Sequence, residues 1–189
     1  MAARLARSRI MVGMPLHRID AMLEVEYNVF TVAAADAGPG SIERPYGNGL
    51  VAATAGEDGS VAVIVTGLVD GDVHVVAEFW GAPPPPPQLD AWQDAAQVDI
   101  DWPGGPVRLL GADVLPFPEL TLAANVPPGR YRLRVAGRNR DDGEARPPEA
   151  PVEEYLLQMW PAAGDDDARV LKSTSGIAAL WMAASPTGS

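Results

Sequence analysis

The chain contains no cysteine, which removes disulfides, thiolate nucleophiles and thiolate-ligated metal sites together. Histidine is nearly absent as well, with only His17 and His74, and this leaves few candidates for proton transfer near neutral pH. Cations are scarce: 14 Lys and Arg stand against 25 Asp and Glu, for a net charge of −11. A direct nucleic-acid ligand is disfavoured on that ground, because phosphate recognition needs a basic footprint. No apolar run approaches the roughly 18 to 20 residues that cross a bilayer as a helix, so no membrane segment is expected. The first residues, MAARLARSRIMVGMPL, carry arginines, but Gly13 and Pro15 interrupt the apolar stretch and no small-residue cleavage site follows. They read as a flexible N-terminal arm, and the lack of cysteine suits a cytoplasmic protein.

Glycine and proline are plentiful, at 19 each, and they punctuate the chain into short segments. MLEVEYNVFTVA alternates Leu23, Val25, Tyr27 and Val29 against Glu24, Glu26 and Asn28, the period of a half-buried strand. SVAVIVTG is β-branched and mostly apolar, as a strand buried on both faces would be. VDGD follows with the Asp-Gly pair of a tight hairpin turn, and DVHVVAEFW returns with Val73, Val75, Ala77 and Phe79 on one side. GAPPPPPQLD carries five consecutive prolines. It reads as an exposed polyproline connector, with docking to an aromatic-lined groove as the alternative. AQVDIDW, PVRLLG and ELTLAANV supply further strands. RVLKST is an edge-strand candidate, and GIAALWMAA suits a short helix or a strand. The pattern predicts an all-β fold: a mainly antiparallel β-sandwich or open barrel of about eight or nine strands, with little helix. Its expected organisation is an arm at 1–20, a single β domain at 21–184 and a frayed tail at 185–189.

Charge is unevenly placed. Between Ile19 and Gly129 lie sixteen acids and only two cations, Arg44 and Arg108, a net of −14. Six of the fourteen cations crowd between Arg130 and Arg146. In RYRLRV, Tyr131, Leu133 and Val135 point one way and Arg130, Arg132 and Arg134 the other. EEYLLQMWPA is the expected hairpin partner, with Glu153 and Glu154 placed to face arginines across it. Residues 139–150 read as a polar loop. The arginines either solvate one face of that hairpin or form a basic binding patch.

Catalytic motifs are missing: there is no P-loop, no GxSxG elbow and no zinc-spaced set, so no cofactor or metal is implied. His74 and Glu78 share a strand face but sit about 13 Å apart, and His74 reads as an ordinary strand histidine. Asp99 and Asp101 share a face at about 7 Å, a spacing compatible with a carboxylate pair but commoner for two solvated acids. Asp70–Asp72 and Asp165–Asp167 lack the register of a calcium loop and read as polar turns.

The order of motifs resembles the competence protein J family, small proteins known as inhibitors of a DNA-entry nuclease. The likeness runs through LEVEYNVFTV, YGNGLVAA, SVAVIVTG, VPPGRYRLRV and EEYLLQMWPA, from about Leu23 to Ala163. The polyproline insert, the charged loop after Asn139 and both terminal extensions depart from it. The resemblance implies a non-enzymatic inhibitor that contacts a nuclease. Combined with the acidic surface, it makes a basic protein the expected partner, met by outward carboxylates at Glu24, Glu26, Asp99 and Asp101. The alternative is a β-sandwich recognition module or orphan enzyme for a small ligand such as a carbohydrate, with Trp80, Trp92, Trp102 and Trp160 lining a groove.

Overall fold

The computed structural model describes residues 13–34, 45–56, 59–111, 120–148, 150–164 and 169–184. Among these residues eleven strands and one short α-helix run in the order β1 (His17–Val25), β2 (Val29–Ala33), β3 (Val51–Gly56), β4 (Gly59–Val65), β5 (Gly71–Phe79), β6 (Asp94–Trp102), β7 (Gly105–Leu110), β8 (Thr121–Val126), β9 (Gly129–Arg138), β10 (Glu154–Pro161), β11 (Arg169–Ser173) and α1 (Gly176–Ala183). The strands form two sheets. One has six strands in the order β1-β5-β10-β9-β6-β11, the other five in the order β3-β4-β2-β7-β8. Every pairing is antiparallel except β5 with β10. The expected all-β, mainly antiparallel fold is present as the sandwich rather than the open barrel, with eleven strands among the described residues where about eight or nine were expected. Among the described residues no helix is long and apolar enough to cross a membrane.

The core lies between the sheets and follows from alternation. Val73, Val75, Ala77 and Phe79 of β5 and Tyr131, Leu133 and Val135 of β9 are buried, as are Tyr155, Leu157 and Met159 of β10. From the smaller sheet come Phe30, Val32, Ile64 and Leu109. Ala62 to Val65 are all at most 1% exposed, as the unbroken apolar run of β4 predicts. Phe30 meets Tyr155 edge to face across the sandwich, with ring centroids 5.2 Å apart.

Two connections differ from the sequence reading. MLEVEYNVFTVA is not one strand: Tyr27 (φ 55) and Asn28 (φ 63) are both left-handed, and Val29 N–H closes the turn on Glu26 O at 3.2 Å. β1 therefore ends in the six-stranded sheet and β2 begins in the other. Asn tolerates that conformation. Tyr27 is held in it by its own N–H on Asp70 Oδ1 (3.3 Å) and by Asn28 N–H on Val69 O (3.0 Å). The Asp70-Gly71 turn likewise joins β4 to β5 across the two sheets rather than closing a hairpin. The two sheet-switching corners brace each other. Tyr27, expected among the inward residues, ends 75% exposed at the tip.

His17 to Asp20, assigned to the N-terminal arm by sequence, belong to β1. Residues 1–12, the 185–189 tail and Asp165–Asp167 lie outside the described residues. The C-terminal expectations resolve into an edge strand, β11, and a helix, α1, whose N-cap Ser175 accepts from Ala178 N–H at 3.1 Å.

Candidate interaction surface

The outer face of the six-stranded sheet explains the arginine-rich segment. Strand register aligns Arg18, Glu78, Gln158, Arg134, Gln97 and Arg169 as one row across all six strands. Arg18 Nη1 donates to Glu78 Oε1 at 3.2 Å, and Gln158 Nε2 donates to Glu78 Oε2 at 2.9 Å. Arg134 Nε and Nη2 both donate to Gln158 Oε1, at 3.0 and 2.8 Å. On the next rows Asp99 accepts from Arg130 and Arg132, each at 2.7 Å, and Arg138 donates to Glu154 at 2.6 Å. Glu154 thus faces an arginine across the hairpin, as expected from sequence.

Arg132 and Arg134 are nevertheless buried, at 6% exposure each. The cover over Arg134 is the polyproline segment. Since β10 and β9 lie between β5 and β6, the β5–β6 connection must cross their outer face. Five prolines in extended form reach about 15 Å, close to the three strand spacings of about 4.8 Å between β5 and β6. Arg134 Nη2 donates to the carbonyls of Pro84 (3.4 Å) and Pro85 (3.0 Å), while its Cζ sits 5.0 Å from the centre of the Trp160 ring. Pro84 is buried and Pro83, Pro85 and Pro86 are exposed, so the run is a seated strap rather than a wholly exposed connector. Burial pulls the Arg134 guanidinium down to about 10; the Glu78 carboxylate opposes that and Arg169 adds to it.

A second charged cluster ties the sandwich at one end. Arg140, assigned by sequence to a polar loop, is 1% exposed. It pairs with Asp94 and donates to the carbonyls of Gly49 (3.2 Å) and Val65 (2.9 Å). Asp94 also accepts from Thr174 N–H (2.9 Å) and Ser175 N–H (3.1 Å). Burial pushes the Asp94 carboxyl up, and Arg140 with the Ser175 and Thr174 hydrogen bonds more than offsets it, leaving it below its ordinary value. Glu153 is fully buried, accepting from Gly67 N–H (2.7 Å), Leu68 N–H (2.9 Å) and the Tyr155 hydroxyl. Burial raises the Tyr155 phenol well above its usual range, Arg140 opposes that, and Glu153 adds to it. Gly67 is required here, because a Cβ would come within 1.8 Å of Arg140 O.

The four acids expected at a partner surface fall into two places. Glu24 and Glu26 are exposed at the end of β1, beside Asp70 and Asp72, and Glu24 pairs in register with Asp72. Among the described residues no ion pair engages Glu24, Glu26, Asp70 or Asp72. Asp99 and Asp101 share the same outer face, but four strands away, about 19 Å. There Asp99 is held between two arginines and Asp101 is aligned with Arg130. The four tryptophans are not brought together either. Trp102 lies in the core, Trp80 and Trp160 are buried on the outer face, and Trp92 lies under Arg138 with Cζ 5.2 Å from its ring centre. His74 Nε2 sits 2.7 Å from Asp20 Oδ1 and Nδ1 sits 3.7 Å from Glu154, so each ring nitrogen faces a carboxylate. No group of three or more His, Cys, Asp or Glu is placed to hold a metal among the described residues.

The architecture that emerges is an acidic, all-β, two-sheet sandwich with a seated proline strap. No family model matches the chain, and no curated protein matches it by sequence. Among solved structures, the fold is shared with ComJ of Bacillus subtilis, the inhibitor of the DNA-degrading activity of NucA. That match covers 79% of this chain and 100% of that one at 13% identity, with a TM-score of 0.53. A protein described as crocagin biosynthetic gene J matches 77% of this chain and 97% of its own at 15% identity, with a TM-score of 0.44. The resemblance read from sequence is met at the level of the fold.

Proposed function

We propose that this chain is a non-enzymatic inhibitor that blocks a nuclease by direct contact, presenting its acidic corner to a basic surface on that enzyme. The observation that carries the reading is the ComJ fold, matched over the whole of that chain, and ComJ is a nuclease inhibitor. The corner supports it. Among the described residues Glu24, Glu26, Asp70 and Asp72 have no cationic partner, and they lie at the corner from which the Tyr27 ring protrudes, an acidic rim about an aromatic side chain. Asp99 and Asp101 form a separate, mixed-charge patch that carries less of the negative field.

The test is inhibition of a nuclease encoded beside this chain, measured across a salt series. Inhibition should weaken as salt rises, because exposed charges are screened within about 8 to 10 Å at physiological ionic strength. Glu24→Lys with Glu26→Lys should slow association by about tenfold or more. Stability should change by less than about 0.5 kcal/mol per site. An unchanged inhibition constant after the double reversal removes this corner. No inhibition at micromolar protein and low salt removes the proposed function.

A further inference from the structure

A two-sheet sandwich exposes four edge strands, and each leaves a row of unpaired backbone groups unless something blunts it. Here three are blunted. β11 has five residues and a register break between Val170 and Lys172. β8 has six residues, with two register breaks against β7. β3 begins at Val51, whose N–H and C=O are both taken by the Asn48 side chain, at 2.8 and 2.7 Å.

β1 differs. It runs nine residues in unbroken register from His17↔Phe79 to Val25↔Gly71, contains no proline, and pairs only with β5 among the described residues. The direction of its free groups follows from β5. His74 N–H donates to Glu153 O at 2.9 Å and Trp80 N–H to Met159 O at 2.8 Å, so the even-numbered groups of β5 face β10. The odd-numbered ones face β1, where they meet His17, Ile19, Ala21, Leu23 and Val25 in register. The N–H and C=O groups of Arg18, Asp20 and Met22 therefore point away from the sheet. Glu24 closes this stretch: its carbonyl lies so near Gly111 that a Cβ there would come within 2.0 Å.

The flanking side chains suit a partner. Met14 (84%), Leu16 (61%) and Met22 (49%) are exposed large apolar residues on or beside this one strand. Asp20, Glu24, Asp70 and Asp72 lie on or beside it with negative charge, and Arg18 is the one cation of the strand itself. A cationic strand meets opposite charge at Asp20 and Glu24, whereas a second copy of β1 centred on Asp20 sets that carboxylate against its own copy.

We propose that the β1 edge, between Arg18 and Met22, accepts an extended cationic segment of a partner protein as an added strand. This rests on the reading of the chain as a contact inhibitor and names the element the partner contributes. Backbone hydrogen bonds supply the affinity, while the acids and exposed methionines select cationic segments with intervening apolar residues.

The experiment is amide hydrogen exchange of the full chain, alone and with an octapeptide of alternating Lys and Val. The Asp20 and Met22 amides should exchange fast in the free chain and slow by about tenfold or more with the peptide. An octapeptide of alternating Glu and Val should leave them unchanged. Met22→Pro removes an outward N–H without breaking a bond to β5 and should abolish the effect. Met22→Lys, which keeps the N–H but repels the cationic peptide, replaces it if the proline variant does not fold. The proposal is overturned by peptide binding that leaves these amides fast, or by equal protection from both peptides. Protection already present in the free chain also overturns it: a second copy holds the edge if that protection depends on concentration, and the chain's own residues hold it if not. If the wild type inhibits a nuclease and Met22→Pro inhibits it equally, the edge proposal falls and the inhibitor reading stands. If the wild type inhibits none, the inhibitor reading falls, and the peptide result alone decides the edge.

Discussion

Replacing Arg140 with methionine removes the cation that holds both sheets, the loop after β9 and the N-terminus of α1 at a single point. Its guanidinium is the partner of Asp94, whose side chain is almost wholly buried, and it also bonds the carbonyls of Gly49 and Val65. Removing one partner of a buried pair leaves the other charge uncompensated, a loss of about 3–5 kcal/mol. For a chain of this size that corresponds to a fall in Tm of roughly 6 to 20 °C. The pH dependence separates this cause from lost packing. In the parent, Asp94 lies below its ordinary pKa, so its contribution is present above the unfolded value near 4 and is lost as pH falls through the folded value. In the variant, burial is opposed only by the Ser175 and Thr174 hydrogen bonds, so the carboxyl moves up from its value in the parent. The loss relative to the parent is then full at pH 7 and shrinks as the group protonates. Urea denaturation should show the gap between parent and variant narrowing from pH 7 toward pH 4. Adding Asp94→Asn should recover part of the loss at pH 7, because the unpaired charge is gone. A gap under about 1 kcal/mol at pH 7, or one equal at both pH values, would falsify the assignment of the ion pair as the source of stability.

Tyr155→Phe deletes a buried hydroxyl that donates to Glu153, and it should lower the urea midpoint by the equivalent of about 1.5–3 kcal/mol with an unchanged m-value. Arg134→Ala removes the donor to the Pro84 and Pro85 carbonyls and the cation over Trp160. Tryptophan emission should shift to the red as the strap loosens, and an emission spectrum identical to the parent's would mean that other contacts seat the prolines.

Alternation along single strands made much of this fold legible. The inward rows of β5, β9 and β10 read directly from the apolar period, because each strand has one face against the core. Period two continues through LEVEYNVF without a break, so it does not show that the strand changes sheets at Tyr27-Asn28. The same Asp-Gly signal serves a hairpin and a sheet-switching corner alike. Alternation also assigns a face without saying whether anything covers it. Arg132 and Arg134 were legible as outward but not as buried, because the strap over Arg134 is held by bonds to residues about 50 positions earlier in the chain. The Asp94–Arg140 pair spans 46 positions and joins a strand end to a segment whose composition is that of a loop. For the candidate surface, the exposure of Glu24 and Glu26 followed from their strand. The neutralisation of Asp99 required the β6–β9 register, which no local pattern carries.

The position of the strap also constrains the order in which the molecule assembles. β5 and β6 are made first, joined by the prolines that bridge the gap between them, while the two strands that fill the gap, β9 and β10, come later in the chain. During synthesis the large sheet is therefore incomplete, with β1 and β5 separated from β6 by the width of two missing strands. Only when the chain has emerged past Pro161 can the complete β9–β10 hairpin fill the gap and bring Arg134 to the Pro84 and Pro85 carbonyls. Pairings such as Tyr155↔Val75 close loops of about 80 residues, the kind of non-local contact that slows folding, so completion of the large sheet is expected to be the late and slow step.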